Sequence, residues 1–255
     1  MNDAKGPQRG GATILGCLLA AGLIVGGWTL GAQIKATRLA DRYVSVRGLA
    51  ERTVKSDLAI WPLDYKEADD DLPSLYSKIE ADRKIILQFL AEQGIQSSET
   101  EIGIVGVVDT QANEFGNGRP APHRYIAEQQ IVVRTSRVDQ VAAAAQKTDA
   151  LVRQGIALTH RNFGDGIVYK FTNLNSIKPD MITEATRNAR TAAERFAMDS
   201  GSSVGSIRQA TQGIFSILPA DSGVPGESDG PSFGGDSSIM KTVRVVTEVE
   251  YCLGK

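Results

Sequence analysis

The sequence contains few of the residues that build cross-linked or reactive sites. It has only two cysteines and two histidines among 255 residues, and aromatic residues make up 6% of the chain. Cys17 lies in a long uncharged stretch and Cys252 lies near the C-terminus, so no intramolecular disulfide is expected if that stretch enters a membrane. The net charge is -2 with no concentrated basic segment, which argues against a nucleic-acid-binding protein.

Motifs for catalysis are also missing. No Gly-x-Ser-x-Gly or His-Glu-x-x-His segment occurs. His123 and His160 could each act as a metal ligand or a base, but neither has a cysteine or carboxylate at ligand spacing. Gly201–Gly205 follows a predicted helix, whereas a phosphate-binding loop opens one. We therefore predict a protein that is not an enzyme, with no catalytic residue, no metal site and no cofactor.

One long hydrophobic run lies near the N-terminus. No charged residue occurs between Arg9 and Lys35. About 25 helical residues at roughly 1.5 Å each reach about 37 Å, which exceeds the roughly 30 Å hydrocarbon core of a bilayer. We predict that residues 12–34 form a transmembrane signal anchor, after a short tail of residues 1–11 and before a linker of residues 35–42.

Other interpretations of this run stay open. A signal peptide cleaved after Ala32 would release the chain, although Leu30 stands where a small residue is expected. Cys17 resembles a lipobox cysteine, but its apolar run follows the cysteine instead of preceding it. A buried core helix is usually shorter and carries a polar stripe. Positive residues flank the run on both sides, so lysine and arginine do not fix its orientation.

The next segments alternate between strand and helix patterns. Tyr43–Gly48 and Thr53–Trp61 alternate like strands, and Pro62 is expected to end the second one or to place it at an edge. Asp69-Asp70-Asp71 then opens a long helix that Gly94 ends, and these aspartates are more typical of a helix cap than of a metal site. The predicted inner face of this helix consists of Leu72, Leu75, Tyr76, Ile79, Ile86 and Leu90.

The middle of the chain predicts further strands around a hairpin. Glu101–Asp109 and Arg124–Arg134 alternate, and Gly116-Asn117-Gly118 marks the tip of their connection. Residues 138–154 predict a helix and Ile167–Phe171 a strand. Trp61 and Tyr65 could form an aromatic contact patch, but core packing is the more typical role of such residues.

A second long helix is predicted to start at Lys178-Pro179 and to end at Gly201. Its alanines at 185, 189, 193 and 197 would let it lie close against a sheet. Strands are predicted at Ser203–Gln209 and Met240–Tyr251, around a mobile Gly- and Ser-rich loop at residues 213–238. The fold class is α+β, an antiparallel sheet with two long helices packed on it, preceded by one N-terminal transmembrane helix.

These segments resemble the SIMPL-domain family of bacterial periplasmic or envelope proteins. The matching features are Val44-Ser45-Val46-Arg47-Gly48, the helix end Leu90–Ile95, the strand around Ile131, the alanine helix with Gly201, and the loop before the last strand. The resemblance covers residues 43 to 251, so residues 43–255 are assigned to one SIMPL-like α+β domain. Many members have a Pro-Asp step in the second strand, where this chain has Lys55-Ser56-Asp57.

The resemblance implies a protein of poorly defined role, linked to stress tolerance and, in some members, to large ring or channel-like oligomers. We expect a non-enzymatic oligomerisation or protein-interaction module, held in the bacterial inner membrane by residues 12–34 with most of the chain in the periplasm. Its expected partners are a second copy or an envelope protein, and not nucleic acid. Alternatives are a protein secreted to the periplasm after cleavage, a small-ligand-binding or hydrolytic domain with an unrecognised site, and a periplasmic holdase that uses the 213–238 loop.

Overall fold

The computed structural model describes residues 20–24, 26–28, 42–112, 122–159, 166–221 and 237–254. The hairpin tip, His160, Cys17, the turn at 164–165 and the centre of the 213–238 loop lie outside the described residues. Within the predicted anchor, residues 20–24 and 26–28 are helical, and Leu23, Ile24 and Trp28 are exposed. No helix among the described residues is long and apolar enough to cross a membrane.

The described residues form ten strands and several helices in an α+β arrangement, which confirms the predicted class. The strands are β1 (Tyr43–Lys55), β2 (Leu58–Asp69), β3 (Thr100–Ile102), β4 (Gly106–Asp109), β5 (Tyr125–Thr135), β6 (Leu158–Thr159), β7 (Val168–Lys170), β8 (Ser203–Gln212), β9 (Ser216–Pro219) and β10 (Met240–Gly254). The helices after residue 42 are α1 (Leu72–Glu92), α2 (Val138–Ala145), α3 (Asp149–Arg153) and α4 (Leu174–Asp199), with a short 3-10 turn at Ser97–Glu99.

The strands pair into two sheets, where the sequence predicts one. In the first sheet β10 lies between β1 and β8, and β9 also pairs with β10. In the second sheet β5 and β2 are central, with β3 and β4 beside β5, and β6 and β7 beside β2. The residue pairs of β5 with β2, β3 and β4 run antiparallel.

The chain divides into two compact units. One consists of residues 1–49, 182–213 and 246–255. Its core contains Val46, Ala189, Ala193, Val249 and Tyr251. All four alanines of the predicted stripe are buried, which confirms that this face of α4 is the packing face. Gly201 follows α4 with a φ of 64°, a conformation that glycine adopts without strain.

The other unit consists of residues 50–181 and 214–245. Helix α1 packs on β2 and β5, and its buried residues are Leu75, Ile79, Ile86, Phe89 and Leu90. The prediction of a buried face is therefore correct for Leu75, Ile79, Ile86 and Leu90, but Leu72 and Tyr76 are exposed. Gly94 has a φ of 80° just after the helix, as expected for its end.

Pro62 does not end its strand. Strand β2 continues from Leu58 to Asp69, and Pro62 faces Val132 of β5. On the opposite side of β2, β7 pairs with residues 58–60 and β6 with residues 64–65. Among the described residues Pro62 therefore lies in the gap between β7 and β6, so its missing N–H interrupts no pairing on that side of β2.

Four other segments also differ from prediction. Residues 101–109 form two short strands, and residues 138–154 form α2 and α3 separated by a tight turn, in which Thr148 donates to the Ala145 carbonyl. Strand β9 lies inside the segment predicted as a loop. Helix α4 begins at Leu174, so Pro179 lies inside it rather than at its start.

Candidate interaction surface

The aspartate run at the start of α1 is a helix cap and an ion-pair cluster. The Asp71 carboxylate accepts a hydrogen bond of 3.0 Å from the Ser74 N–H, which confirms the cap. Asp69 lies 2.8 Å from Lys78, and that hydrogen bond, together with one from the Ser74 hydroxyl, holds the pKa of Asp69 well below its usual range. These two partners satisfy the Asp69 carboxylate within the protein and stabilise its charged form.

His123 joins this cluster from the base of the hairpin. Its Nδ1 lies 3.4 Å from Oδ2 of Asp70, whose other oxygen accepts the Arg124 N–H at 2.9 Å. These contacts lower the pKa of Asp70, with the backbone bond from Arg124 as the main cause. Arg124 also binds Asp109 and stacks 4.8 Å above the Tyr125 ring. The arrangement ties the hairpin to the start of α1.

Trp61 and Tyr65 are buried, so the core interpretation is right and the contact patch is wrong. The Tyr65 hydroxyl donates to Oε1 of Gln129 at 2.5 Å, and Nε2 of Gln129 donates to the Gly103 carbonyl at 2.8 Å. Burial raises the pKa of Tyr65 to about 12. This chain of hydrogen bonds links the core to the segment between β3 and β4.

A pair of carboxyl groups on α1 and β2 was not anticipated from the sequence. Asp82 and Glu67 interact, and the pKa of Asp82 rises to about 6, first through burial and then through the neighbouring Glu67. Oδ2 of Asp82 is buried with no hydrogen-bond partner among the described residues. Asp82 shares the helix face of Leu75 and Ile86 by spacing, and a charged residue on that apolar face was the available signal.

Two grooves lie in the unit of residues 50–181 and 214–245, and each includes one buried hydroxyl oxygen without a hydrogen-bond partner among the described residues, Ser56 Oγ in the larger groove and Thr159 Oγ1 in the smaller. The one of ≈ 510 Å³ runs from Lys55 to Asp57 and from Ser136 to Gln140. Its charged groups are already paired: Lys55 lies 2.5 Å from Asp139, and Arg137 binds Glu99. The other, of ≈ 280 Å³, is lined by residues 61–64 together with Ala145, Thr148, Leu158, Thr159, Gly166 and Ile167. Asp64 there accepts a hydrogen bond from Gln130 at 3.1 Å.

The described residues also contain no group of three or more histidine, cysteine, aspartate or glutamate side chains able to hold a metal ion. Cys252 is a half-buried free cysteine.

Most strand edges of the two sheets have features that disfavour pairing with another chain. β1 carries the charged residues Arg47, Glu51, Arg52 and Lys55. β8 has Arg208 and five uncharged polar residues among its ten, although Ile207 is 50% exposed, while β9 ends at a proline. β6 and β7 have two and three residues. Charge, proline and shortness each disfavour edge-to-edge association.

The edge formed by β3, β4 and the residues between them (residues 100–109, called the apolar edge below) is different. It has no lysine or arginine, and its only charged side chains are Glu101 and Asp109. Ile104 is 94% exposed, and Ile102, Val107 and Val108 are 46–48% exposed. β3 and β4 pair only with β5 among the described strands, so their outer backbone groups face away from the sheet.

A bulge shapes the middle of the apolar edge. Ile102 pairs with Ile131 and Gly106 pairs with Glu128, so three residues of the edge oppose two of β5. The Gly103 N–H donates to the Gln130 carbonyl at 2.8 Å, and the Gln129 side chain holds the Gly103 carbonyl. The bulge is thus fixed from the core side while Ile104 is left in solvent.

A family model for SIMPL, described as a protein of unknown function (DUF541), matches residues 44–251. The chain belongs to the SIMPL family. No curated protein gives a significant match. The SIMPL match begins in β1 and ends in β10, so it includes residues of both compact units. The family description assigns no activity, so oligomerisation, stress tolerance and membrane anchoring remain predictions.

The SIMPL resemblance also pointed to a departure at Ser56-Asp57, where many members have Pro-Asp. The structure gives Asp57 a clear role. Its Oδ1 accepts the Thr172 N–H at 2.7 Å and its Oδ2 accepts the Asn173 N–H at 2.9 Å, just before α4 begins. The aspartate of the step therefore supplies acceptors at the start of α4, whichever residue precedes it.

Proposed function

We propose that this SIMPL protein is a non-enzymatic interaction module of the bacterial envelope, and that it self-associates through the apolar edge. The observation that carries the proposal is the exposure of Ile104 and its neighbours on a strand edge with free backbone groups. Water-exposed apolar residues on such an edge favour addition of a strand from another chain, which removes them from water and pairs the edge backbone.

The contrast with the other edges supports this role. β1 has four charged residues, and β8 has Arg208 and five uncharged polar residues, so both disfavour the addition of another strand more than the apolar edge does. The grooves support a ligand-binding or hydrolytic role less well, because the charged side chains of the larger groove are already engaged with one another. We therefore favour a protein-interaction role over a ligand-binding or hydrolytic role.

The location remains part of the proposal. Residues 12–34 contain no charged side chain and are long enough to span a bilayer, so we propose that they anchor the chain in the inner membrane with the SIMPL domain in the periplasm. Cleavage of this segment would leave the same domain free in the periplasm. Sequencing the N-terminus of the mature protein distinguishes the two, because a chain starting near Gln33 would rule out the anchor.

Self-association is tested by light scattering on the full-length protein, extracted in detergent and separated by size over a hundredfold range of concentration. The proposal predicts a protein mass above that of the monomer, rising with concentration. A constant monomer mass over the whole range would refute it. A parallel sample in a second detergent shows whether the mass depends on the micelle.

A further inference from the structure

The sequence of the apolar edge has a symmetry that a strand can use to pair with a copy of itself. Ile102-Gly103-Ile104 is followed by Val105-Gly106-Val107, so β-branched and glycine residues repeat in reverse order about the point between Ile104 and Val105. In an antiparallel pair related by a two-fold axis, each residue faces the one at the same distance on the other side of the axis.

This symmetry sets a definite register. Ile102 of one copy would face Val107 of the other, and Gly103 would face Gly106. β-Branched pairs across antiparallel strands are stabilising, while the small glycines let the two backbones approach. The next pairs outward also match: Glu101 would face Val108, and Thr100 would face Asp109. The two acidic residues therefore never face each other, so the pairing brings no like charges together.

We propose that a second copy of this chain adds to the apolar edge in antiparallel orientation, about a two-fold axis between Ile104 and Val105. The inference rests on the proposed function and goes further by naming the partner, the surface and the register. The second sheet of one copy then joins the second sheet of the other edge to edge. β3 and β4 of each copy supply the backbone hydrogen bonds on either side of the bulge. Ile104 of each copy lies at the centre, where it leaves water.

Contacts within one molecule fix the conformation of the apolar edge before any partner binds. The Gly103 N–H and carbonyl are bonded to Gln130 and Gln129 of β5, so the bulge is fixed by the same molecule. Asp109, the last residue of the apolar edge, forms an ion pair with Arg124, which neutralises the charge of its carboxylate. A closed two-fold dimer uses this edge once in each copy, so the pairing does not propagate into fibres.

A pair of cysteines tests the register directly. The full-length chain with Cys17 and Cys252 replaced by serine, extracted in detergent, carries Ile102→Cys and Val107→Cys together and is oxidised under mild conditions. Within one chain these positions face Ile131 and Ala127 of β5, which lie four residues or about 13 Å apart along that strand. This is too far for a disulfide, whose Cα atoms are about 4.4–6.8 Å apart. Across the proposed axis they face each other.

The expected result is a disulfide-linked dimer of the double variant, with neither single variant cross-linking, because each single cysteine faces an isoleucine or valine of its partner copy. Mixing the two single variants should restore one cross-link per dimer. Ile102→Cys combined with Val152→Cys, on exposed α3, is the matched control and should stay monomeric on a denaturing gel.

Other outcomes overturn the proposal in distinguishable ways. If light scattering gives an oligomer but the double variant does not cross-link above the control, the register is wrong and the proposed function survives. If the single variants cross-link as well as the double variant, the contact is not this two-fold pair. If the protein is a monomer at every concentration, the register and the proposed function fall together.

Discussion

Gly48 lies so close to α4 that a Cβ at position 48 would be 1.9 Å from the carbonyl oxygen of Ala185. The same Cβ would also lie 2.5 Å from the Ala189 nitrogen. The strand and the helix can meet at this distance because glycine faces a stripe of alanines. The close approach buries Ala189 and Ala193 beside Val46 in the core of this unit.

Gly48→Ala is therefore expected to destabilise the protein although alanine is a small residue. The added methyl group overlaps backbone atoms, which cannot move aside as a flexible side chain can, so the cost should be about 3 kcal/mol or more, at or above the usual range for overpacking. Urea unfolding of the variant measures it. Gly166→Ala, with nothing within 4 Å of the new Cβ, is the control and should change the free energy of unfolding little.

Asp57→Ala should weaken the start of α4. The substitution leaves the Thr172 and Asn173 N–H groups without their carboxylate acceptors. Loss of such acceptors at a helix start typically costs about 0.5–2 kcal/mol. Thermal unfolding should give a lower midpoint for Asp57→Ala than for Asp57→Asn, which keeps one side-chain oxygen. Equal midpoints for the two variants would mean that these bonds contribute nothing to stability.

Asp82→Asn should raise stability at pH 8 more than at pH 4.5. Because the folded-state pKa of Asp82 is raised to about 6, the native state favours the protonated carboxyl. Its stabilising contribution is complete below the unfolded-state pKa of about 3.9 and is lost as the pH rises through about 6. An amide resembles the protonated form, so the variant avoids this loss.

The measurement is urea unfolding of both proteins at the two pH values. Asp149→Asn removes the same charge from an exposed position and serves as the control. A gain for Asp82→Asn that is equal at both pH values, or no larger than that of the control, would contradict a raised pKa of Asp82 in the folded protein.

Tyr65→Phe should destabilise the core more than the loss of one hydroxyl suggests. The Oε1 atom of buried Gln129 would lose its donor, and an unsatisfied buried acceptor costs about 1–3 kcal/mol. Tyr125→Phe is the control, because the Tyr125 hydroxyl makes no hydrogen bond within the described part of the chain. If both variants unfold at the same urea concentration, the Tyr65–Gln129 bond is not stabilising.

Local patterns in the sequence were enough to predict the elements with a strong period. The alternation of Val243, Val245, Thr247, Val249 and Tyr251 correctly identifies the buried face of β10. The four-residue repeat of alanines likewise identifies the packing face of α4. In both cases the buried residues lie within a single helix or strand, so the buried face can be recognised in the sequence from a period of two residues for a strand or 3.6 residues for a helix.

Features that depend on distant residues could not be predicted in this way. Helix α4 starts before Pro179 with acceptors from Asp57, which lies far away in the sequence. Ile102, Ile104 and Val108 fit a strand with a buried face, yet they are exposed because the bulge and the edge position leave no described element over them. The exposure of the apolar edge and the contact between Asp82 and Glu67 therefore depend on the pairing of the strands and the packing of α1, and the sequence signals only that a charged Asp82 lies on an apolar helix face.

The central claim is that the SIMPL domain self-associates through its apolar edge, and sedimentation equilibrium of three full-length proteins in density-matched detergent tests it most directly. They are the wild type, Ile104→Asp, and the control Val152→Asp on α3. We predict that wild type and Val152→Asp share a mass that rises with concentration, while Ile104→Asp stays at the monomer mass with an unchanged far-ultraviolet spectrum. Equal masses for Ile104→Asp and wild type at every concentration would contradict the claim.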